Sequence, residues 1–277
     1  MGNRHPILGR RPKGRPQPPI IPVEVNTPKQ HTERKQQNEP VVCEAAPTTP
    51  NTELDVTCVV VNYKTLHLTR NAIRTFRKHY PRVKLIVIDN GSGDESTEYI
   101  KTLLRKENIT CILNKNNVGH GPAIEQAIDN VSTRYVFLMD SDCEVYKGGF
   151  LEQMQKKLEE THAYAIGWRR WVDKFSGVPR EWHIDTPPSN RFVKYAHPAA
   201  SLYDLKKYRQ LSRAEHHGAP LTANMRDAAA KGWDVLSFPI FDYVNHLIAG
   251  TRRMFGGHWD GTNKKPREWK KKGSYPI

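Results

Sequence analysis

The chain lacks any apolar run approaching the roughly 20 residues that a membrane-spanning helix requires, and its N-terminus has no apolar core of the kind a secretory signal carries. A soluble, cytoplasmic protein is the expectation. Cysteine is scarce: the 4 residues Cys43, Cys58, Cys111 and Cys143 form no C-x-x-C pair, which excludes the close ligand spacing of a zinc finger or ribbon. Cys58 and Cys111 fall inside strand-like apolar runs, so buried free thiols are expected and a disulfide framework is not. Acidic residues are in deficit, 29 Asp and Glu against 43 Lys and Arg, for a net charge of +14. That excess predicts attraction to anions, whether nucleotides, nucleic acid or an acidic membrane face, without choosing among them. No internal repeat is present.

The two ends differ from the middle. Residues 1–54 hold 10 of the 20 prolines, several basic residues and no periodic apolar pattern, which predicts a disordered, Pro-rich basic arm. Residues 254–277 carry Lys264, Lys265, Arg267, Lys270, Lys271 and Lys272, a basic tail. Between them, residues 55–253 have the pattern of one folded domain.

That domain opens with an apolar run at Val56–Val61 ending in Asn62-Tyr63-Lys64, a buried strand, after which Thr65 is placed to cap a helix bearing Leu66, Ile73 and Phe76 on one face. Pro81 ends the helix. A second strand, Val83–Ile88, runs into Asp89-Asn90-Gly91-Ser92-Gly93-Asp94-Glu95. There Ser92 and Glu95 have capping-box spacing for a helix over 93–105. Ile109–Leu113 is a third strand, followed by the Asn-rich loop 114–121 and a helix begun by Pro122. Tyr135–Met139 is the fourth. Strands alternating with helices in this way predict an α/β fold with a mostly parallel, Rossmann-like sheet flanked by helices. Ligands bind such sheets beyond the carboxyl ends of the strands, and Asn62, Asp89, Asn117 and Asp140 all lie there.

The fourth strand ends in Asp140-Ser141-Asp142. Residues two apart on extended backbone project the same way, and two like charges so placed repel unless a cation or hydrogen-bond donors compensate. Oxygen ligands suit Mg²⁺ or Mn²⁺ with a substrate phosphate completing the shell. An Asp-rich turn with capping side chains would explain the same residues; the convergence of four polar strand ends on one edge favours a pocket. Downstream, a helix with Leu151, Met154 and Leu158 inward, a strand over 163–168, an aromatic-rich stretch over 169–191, a strand over 198–203 and a helix over 223–231 ended by Gly232 are expected; the aromatics Trp168, Trp171 and Trp182 could stack on a sugar or acceptor, or equally pack a subdomain. Strands over 235–238 and 241–244 then deliver Asn245-His246.

These runs resemble, in order, the motifs of family-2 glycosyltransferases with the GT-A fold. Val59–Tyr63 looks like the first strand of that family, Val87–Asp94 like its second-strand motif, Asn114–Gly121 like its Asn-rich loop, Leu138–Asp142 like its D-x-D motif, and His246–Thr251 like its closing His-containing segment. The resemblance implies a nucleotide-sugar donor (UDP-, GDP- or dTDP-linked), a hydroxyl-bearing acceptor such as a glycan or protein, and Mn²⁺ or Mg²⁺. It implies Asn62, Asp89, Asn117, Gly119, Asp140 and Arg252 at the nucleotide sugar, and Asp140, Asp142 and His246 at the metal, with His258 the rival to His246. Imidazole beside carboxylates tilts preference toward Mn²⁺, and Arg252 and Arg253 could add phosphate contacts.

One departure stands out. Inverting members carry an acidic pair before the final helix, and the corresponding Gly218-Ala219-Pro220-Leu221 has no acid. A general base must reach the acceptor proton, so the candidates are Glu215 and Asp227, then Asp185, His183, His216 and His217. Inversion is the expected outcome. A haloacid-dehalogenase-type phosphatase expects the D-x-D on its first strand. A nucleotidyltransferase expects a Gly-rich loop after the first strand, where Asn62-Tyr63-Lys64-Thr65 has no glycine. A nucleic-acid-binding protein using its basic tails is the third alternative.

Overall fold

The computed structural model describes residues 54–176, 179–180, 189–215 and 219–247. The expected arm and tail, and the candidates His183, Asp185, His216, His217, Arg252, Arg253 and His258, lie outside the described residues.

The first half follows the alternating pattern: β1 (Val56–Asn62), α1 (Leu66–His79), β2 (Lys84–Asp89), α2 (Glu95–Leu103), β3 (Ile109–Leu113), α3 (His120–Ile128) and β4 (Tyr135–Asp140). After β4 come the short β5 (Cys143–Val145), α4 (Phe150–Thr161), β6 (Ala165–Asp173), β7 (Pro179–Arg180) and β8 (Phe192–Asp204). The described chain closes with α5 (Leu205–Tyr208), α6 (Thr222–Ala230), β9 (Val235–Ser237), a 3-10 turn (Ile240–Asp242) and β10 (Val244–His246). The main sheet runs β3-β2-β1-β4-β8-β6-β7, with β9 added to β6. Strands β1 to β4 are mutually parallel, whereas β8 is antiparallel to β4 and β6 antiparallel to β8.

Both sheet faces are covered, which is why β1, β2 and β4 read as continuous apolar runs. Val56, Cys58 and Val60 pack with Ile73 and Phe76 of α1, Ile100 of α2, and Phe150 and Leu151 of α4. Val59, Ile86 and Leu138 face the other way, onto Ile124 and Ile128 of α3 and Met225 and Ala228 of α6. Full burial of a side chain such as Phe76 or Phe137, both 0 % exposed, contributes about 1.5–3 kcal/mol.

Local chemistry corrects several expected boundaries. Asp94, not Ser92, caps α2, its carboxylate accepting from the Ser96 amide. Thr65 precedes α1 but its hydroxyl makes no cap bond; it joins Asn62, Thr69 and Ser141 in a buried polar network. Residues 240–242 form a 3-10 turn in which the Asp242 amide donates to the Pro239 carbonyl at 3.0 Å, so the strand expected over 241–244 is displaced to β10 at Val244–His246. β6 and β8 extend well past the expected 163–168 and 198–203, their polar ends being paired with each other.

Candidate active site

Four loops meet beyond the carboxyl ends of β1 to β4, and their polar residues first hold each other. Asn62 is fully buried and saturated: its amide donates to Asp89 Oδ1 and Ser92 Oγ, both at 3.0 Å, and its Oδ1 accepts from the hydroxyls of Thr65 (2.9 Å) and Thr69 (2.7 Å). Asp89, 1 % exposed, accepts in addition from the Ser92 amide and the Thr97 hydroxyl. Both side chains are turned inward, so at the sheet edge they brace loop backbone. Asn90 does the same for the Asn-rich loop: it donates to Asn117 Oδ1 (2.9 Å) and the Gly119 carbonyl, and accepts from Asn114 and the Val118 amide. Asn117 Oδ1 also accepts from the Gly119 amide at 2.8 Å. Gly91 is required by this closeness, because a Cβ there would lie 2.3 Å from the Asn116 backbone and its φ is +76°.

At the end of β4 the two acids take different partners. Asp140, a quarter of its side chain exposed, stands 3.6 Å from Nε2 of His120, the residue that opens α3. Burial raises the Asp140 pKa, the His120 charge opposes that rise, and Asp142 adds to it. Asp142 is buried and pairs with His246 Nε2 at 3.3 Å. The pairing follows from register: β10 lies antiparallel to β5 with His246 opposite Cys143, and the Leu247 amide donates to the Asp142 carbonyl. Burial lowers the His246 pKa, but the hydrogen bond to Asp142 and the charges of Asp142 and Asp140 outweigh it and the net shift is upward.

The donor set fits a divalent cation. Ligand atoms of Asp142, Cys143 and His246 lie within 4.8 Å of one another. Cys143 is set apart by its chemistry, since burial holds it well above the usual thiol range and its Sγ donates to the Ala199 carbonyl at 3.2 Å. The 3.3 Å between Asp142 Oδ1 and His246 Nε2 is close to the separation of two adjacent octahedral ligands each about 2.1 Å from an ion. His246 Nδ1 is buried with no hydrogen-bond partner among the described residues, a state that costs about 1–3 kcal/mol unless another group satisfies it.

The base candidates separate. The backbone at Glu215 lies against the start of α3: a Cβ on Gly121, next to His120, would lie 1.7 Å from the Glu215 carbonyl oxygen, and the Glu215 side chain is exposed. Asp227 is held by Ser212. Its carboxylate accepts from the hydroxyl (2.6 Å) and amide (2.8 Å) of Ser212, and that hydroxyl bond is the main reason its pKa is lowered. A carboxylate so held is a weakened base, and its work is to tie the loop before α6 to the helix.

The sequence reading missed His120 and His197, and it named Trp168 only as one of several aromatics able to stack on a sugar or pack a subdomain. His197 is neutral, its pKa pushed down to about 3 chiefly by burial and then by the Arg170 charge. Trp168 lies between rings, 4.3 Å from His197 and 5.4 Å from His246 by centroid. His120 was detectable as the first helical residue after a loop on the ligand edge; the other two arrive from β8 and β6, whose pairing no local pattern announces.

Comparison with known proteins agrees with this architecture. An uncharacterised protein of Methanocaldococcus jannaschii is 31% identical over 133 residues, covering 46% of this chain and 55% of that protein, so the chain spans about half the length of that relative. A mannosyltransferase from Pyrobaculum calidifontis in complex with GDP-Man and Mn²⁺ is similar with a TM-score of 0.55 at 16% identity, over 71% of this chain and 57% of that one. GalNAc-T7 with UDP, GalNAc and Mn²⁺ is similar with a TM-score of 0.55 at 12% identity, over 67% and 42% of the two chains. These likenesses establish the GT-A fold. No described helix is long and apolar enough to cross a membrane. The family described as "Glycosyl transferase family 2" matches residues 57–230, from β1 through α6 and more than half of the chain, and the protein belongs to that family.

Proposed function

We propose that the chain is a metal-dependent glycosyltransferase that moves a sugar from a nucleoside-diphosphate donor to an acceptor hydroxyl with inversion, residues 55–253 forming the catalytic unit. The observation that carries this reading is the pairing of buried Asp142 with His246 beside Asp140, at the ligand-binding edge of four parallel strands. His246 lies beyond the stretch matched to the family, so its inclusion rests on the β5–β10 register. The Mn²⁺ bound in both similar structures supports the choice of ion, with Mg²⁺ the alternative.

In this reading Asp142 and His246 hold the ion, and Asp140 reaches the donor ribose and the ion's shell. The ion, when bound, stabilises charge on the departing diphosphate. Asn62, Asp89, Asn117 and Gly119 act chiefly as the braced frame of the two loops that face base and ribose, so the nucleotide meets backbone held in place in advance. Arg252 would add a phosphate contact. Glu215 takes the acceptor proton; it is exposed, and its backbone is fixed against Gly121 by the bond from its amide to the Pro220 carbonyl at 2.7 Å.

The test is a thermal-shift and hydrolysis panel of UDP-, GDP- and dTDP-sugars with and without Mn²⁺. Metal-dependent stabilisation by at least one nucleotide is expected, lost in Asp142→Ala and reduced in His246→Gln. If no nucleotide stabilises the wild type, or Asp142→Ala matches it, the reading is wrong. Glu215→Gln should keep donor hydrolysis and lose transfer to a hydroxyl acceptor, and the anomeric configuration of the product, read by NMR, checks inversion.

A further inference from the structure

The β6–β8 ladder is regular except at one place. Gly167 pairs with Ser201 and Arg169 with Ala196, so Trp168 alone faces the four residues His197-Pro198-Ala199-Ala200. A bulge re-aims the side chains it carries, and this one lies where β8 turns to pair with the end of β4, Ala200 opposite Met139. Gly167 makes the irregularity possible. Its φ is +153°, and a Cβ there would lie 2.4 Å from Ser201 Oγ and 2.6 Å from the Ala200 carbonyl.

The side chains released by the bulge form a cluster against the metal side of the site. Trp168 contacts His197 on one side (4.3 Å, rings tilted by 37°), Phe241 edge-on (5.1 Å) and His246 (5.4 Å), while the Arg170 guanidinium sits 5.1 Å from the indole centre. The same stretch is tied to the neighbour of Asp142, since Cys143 Sγ donates to the Ala199 carbonyl. The ring of a metal-binding histidine is ordinarily oriented by a hydrogen bond from its second nitrogen. His246 has no such bond among the described residues: Nδ1 is buried and unpartnered, and β10, the strand carrying it, is three residues long.

We infer that Trp168, aimed by the Gly167 bulge and backed by His197, is a positioning residue that fixes the ring of His246 by aromatic packing in place of the usual hydrogen bond. The inference rests on the metal site proposed above for its consequence, but the orientation of His246 is a property of the chain itself and is measurable without metal. A rigid indole against the imidazole removes ring rotamers that would otherwise have to be frozen when a ligand is captured.

The experiment uses the full chain as wild type, Trp168→Leu and Trp168→Phe, with two readouts. The first is the imidazole nitrogen NMR spectrum of the metal-free protein, with His246 identified by the signals missing in His246→Gln. Wild type and Trp168→Phe should show one sharp His246 set, and Trp168→Leu a shifted or broadened one. The second is titration with Mn²⁺ alone, following free Mn²⁺ by electron paramagnetic resonance. Trp168→Leu should bind about 10–100-fold more weakly, the range seen when the groups that orient a metal ligand are removed, and Trp168→Phe should recover most of that loss. Unchanged His246 signals in Trp168→Leu would overturn the inference, as would equal losses of affinity in the Leu and Phe variants. A wild type that binds no Mn²⁺ while its His246 signals still respond to Trp168→Leu would remove the metal reading and leave the positioning role standing. If Trp168→Leu does not fold, His197→Gln takes its place, with the same shifted His246 signals expected and unchanged signals counting against the inference.

Discussion

Glu125 offers a sharp stability test because a single buried carboxylate anchors the segment that leads to Glu215. It lies on α3, 6 % exposed. Its Oε1 accepts from the Tyr208 hydroxyl at 2.6 Å and the Ala214 amide at 2.7 Å, and its Oε2 pairs with Arg213 Nε at 3.0 Å. Tyr208 is buried and its pKa stands well above the ordinary phenol range, chiefly through that burial, so the hydroxyl keeps its proton and donates. Glu125→Ala removes the acceptor from two buried donors, each costing about 1–3 kcal/mol when left unmade, for roughly 2–6 kcal/mol in all. The Arg213 pair adds little, because that guanidinium is 62% exposed and solvent screens its charge. Glu125→Gln keeps a carbonyl oxygen for both donors and should cost about 1 kcal/mol. Urea unfolding followed by tryptophan fluorescence gives both values, and at about 2–4 °C per kcal/mol the Ala variant should melt roughly 5–20 °C lower. Amide exchange at Ala214 should accelerate with it. If Glu125→Ala costs under about 1 kcal/mol, or if Gln and Ala cost the same, the account of Glu125 as the anchor of this loop is refuted.

Gly121→Ala should be expelled by the Glu215 carbonyl, which a Cβ would approach to 1.7 Å; a loss of about 1–3 kcal/mol or more is expected in chemical denaturation, with transfer to acceptor falling more than donor hydrolysis. Asp227→Asn tests a pH dependence. The folded-state pKa of Asp227 is lowered mainly by the Ser212 hydroxyl, so its contribution is fully present above the unfolded value of about 3.9 and is lost as pH falls through the folded value. The stability gap between wild type and variant should therefore be constant near neutrality and close below about pH 4 in unfolding curves. Asn90→Ala should loosen the Asn-rich loop, seen as faster amide exchange at Val118 and as weaker nucleotide binding with Mn²⁺ affinity retained.

How much of this was readable in the chain differs by region. From β1 to β4 the apolar runs, the turn residues and the helix faces all point the same way, and Asp89 and Asp140 were placed at the ligand edge by strand order alone. The caps were misread because Ser92 and Thr65 have more than one possible partner, and tertiary contacts chose Asn62 for both. Arg170 and Lys194 on β6 and β8 look like loop residues because their strands are partly exposed. His197 and Trp168 acquire meaning through a bulge that pairs residues about thirty apart. Asp142 and His246 were linked by motif order, and the register of β10 on β5 supplies the physical link.

That register also orders events in time. Asp142 lies near the middle of the domain's chain and His246 near its end, 104 residues apart, joined across a two-stranded ribbon whose second strand is three residues long. A ribbon so short holds weakly by itself, and a contact of such high sequence separation forms late in folding because the loop it closes is long. A ligand gripping both side chains would act as a clasp on that last strand, and slower amide exchange along β10 on addition of Mn²⁺ is the expected sign of it.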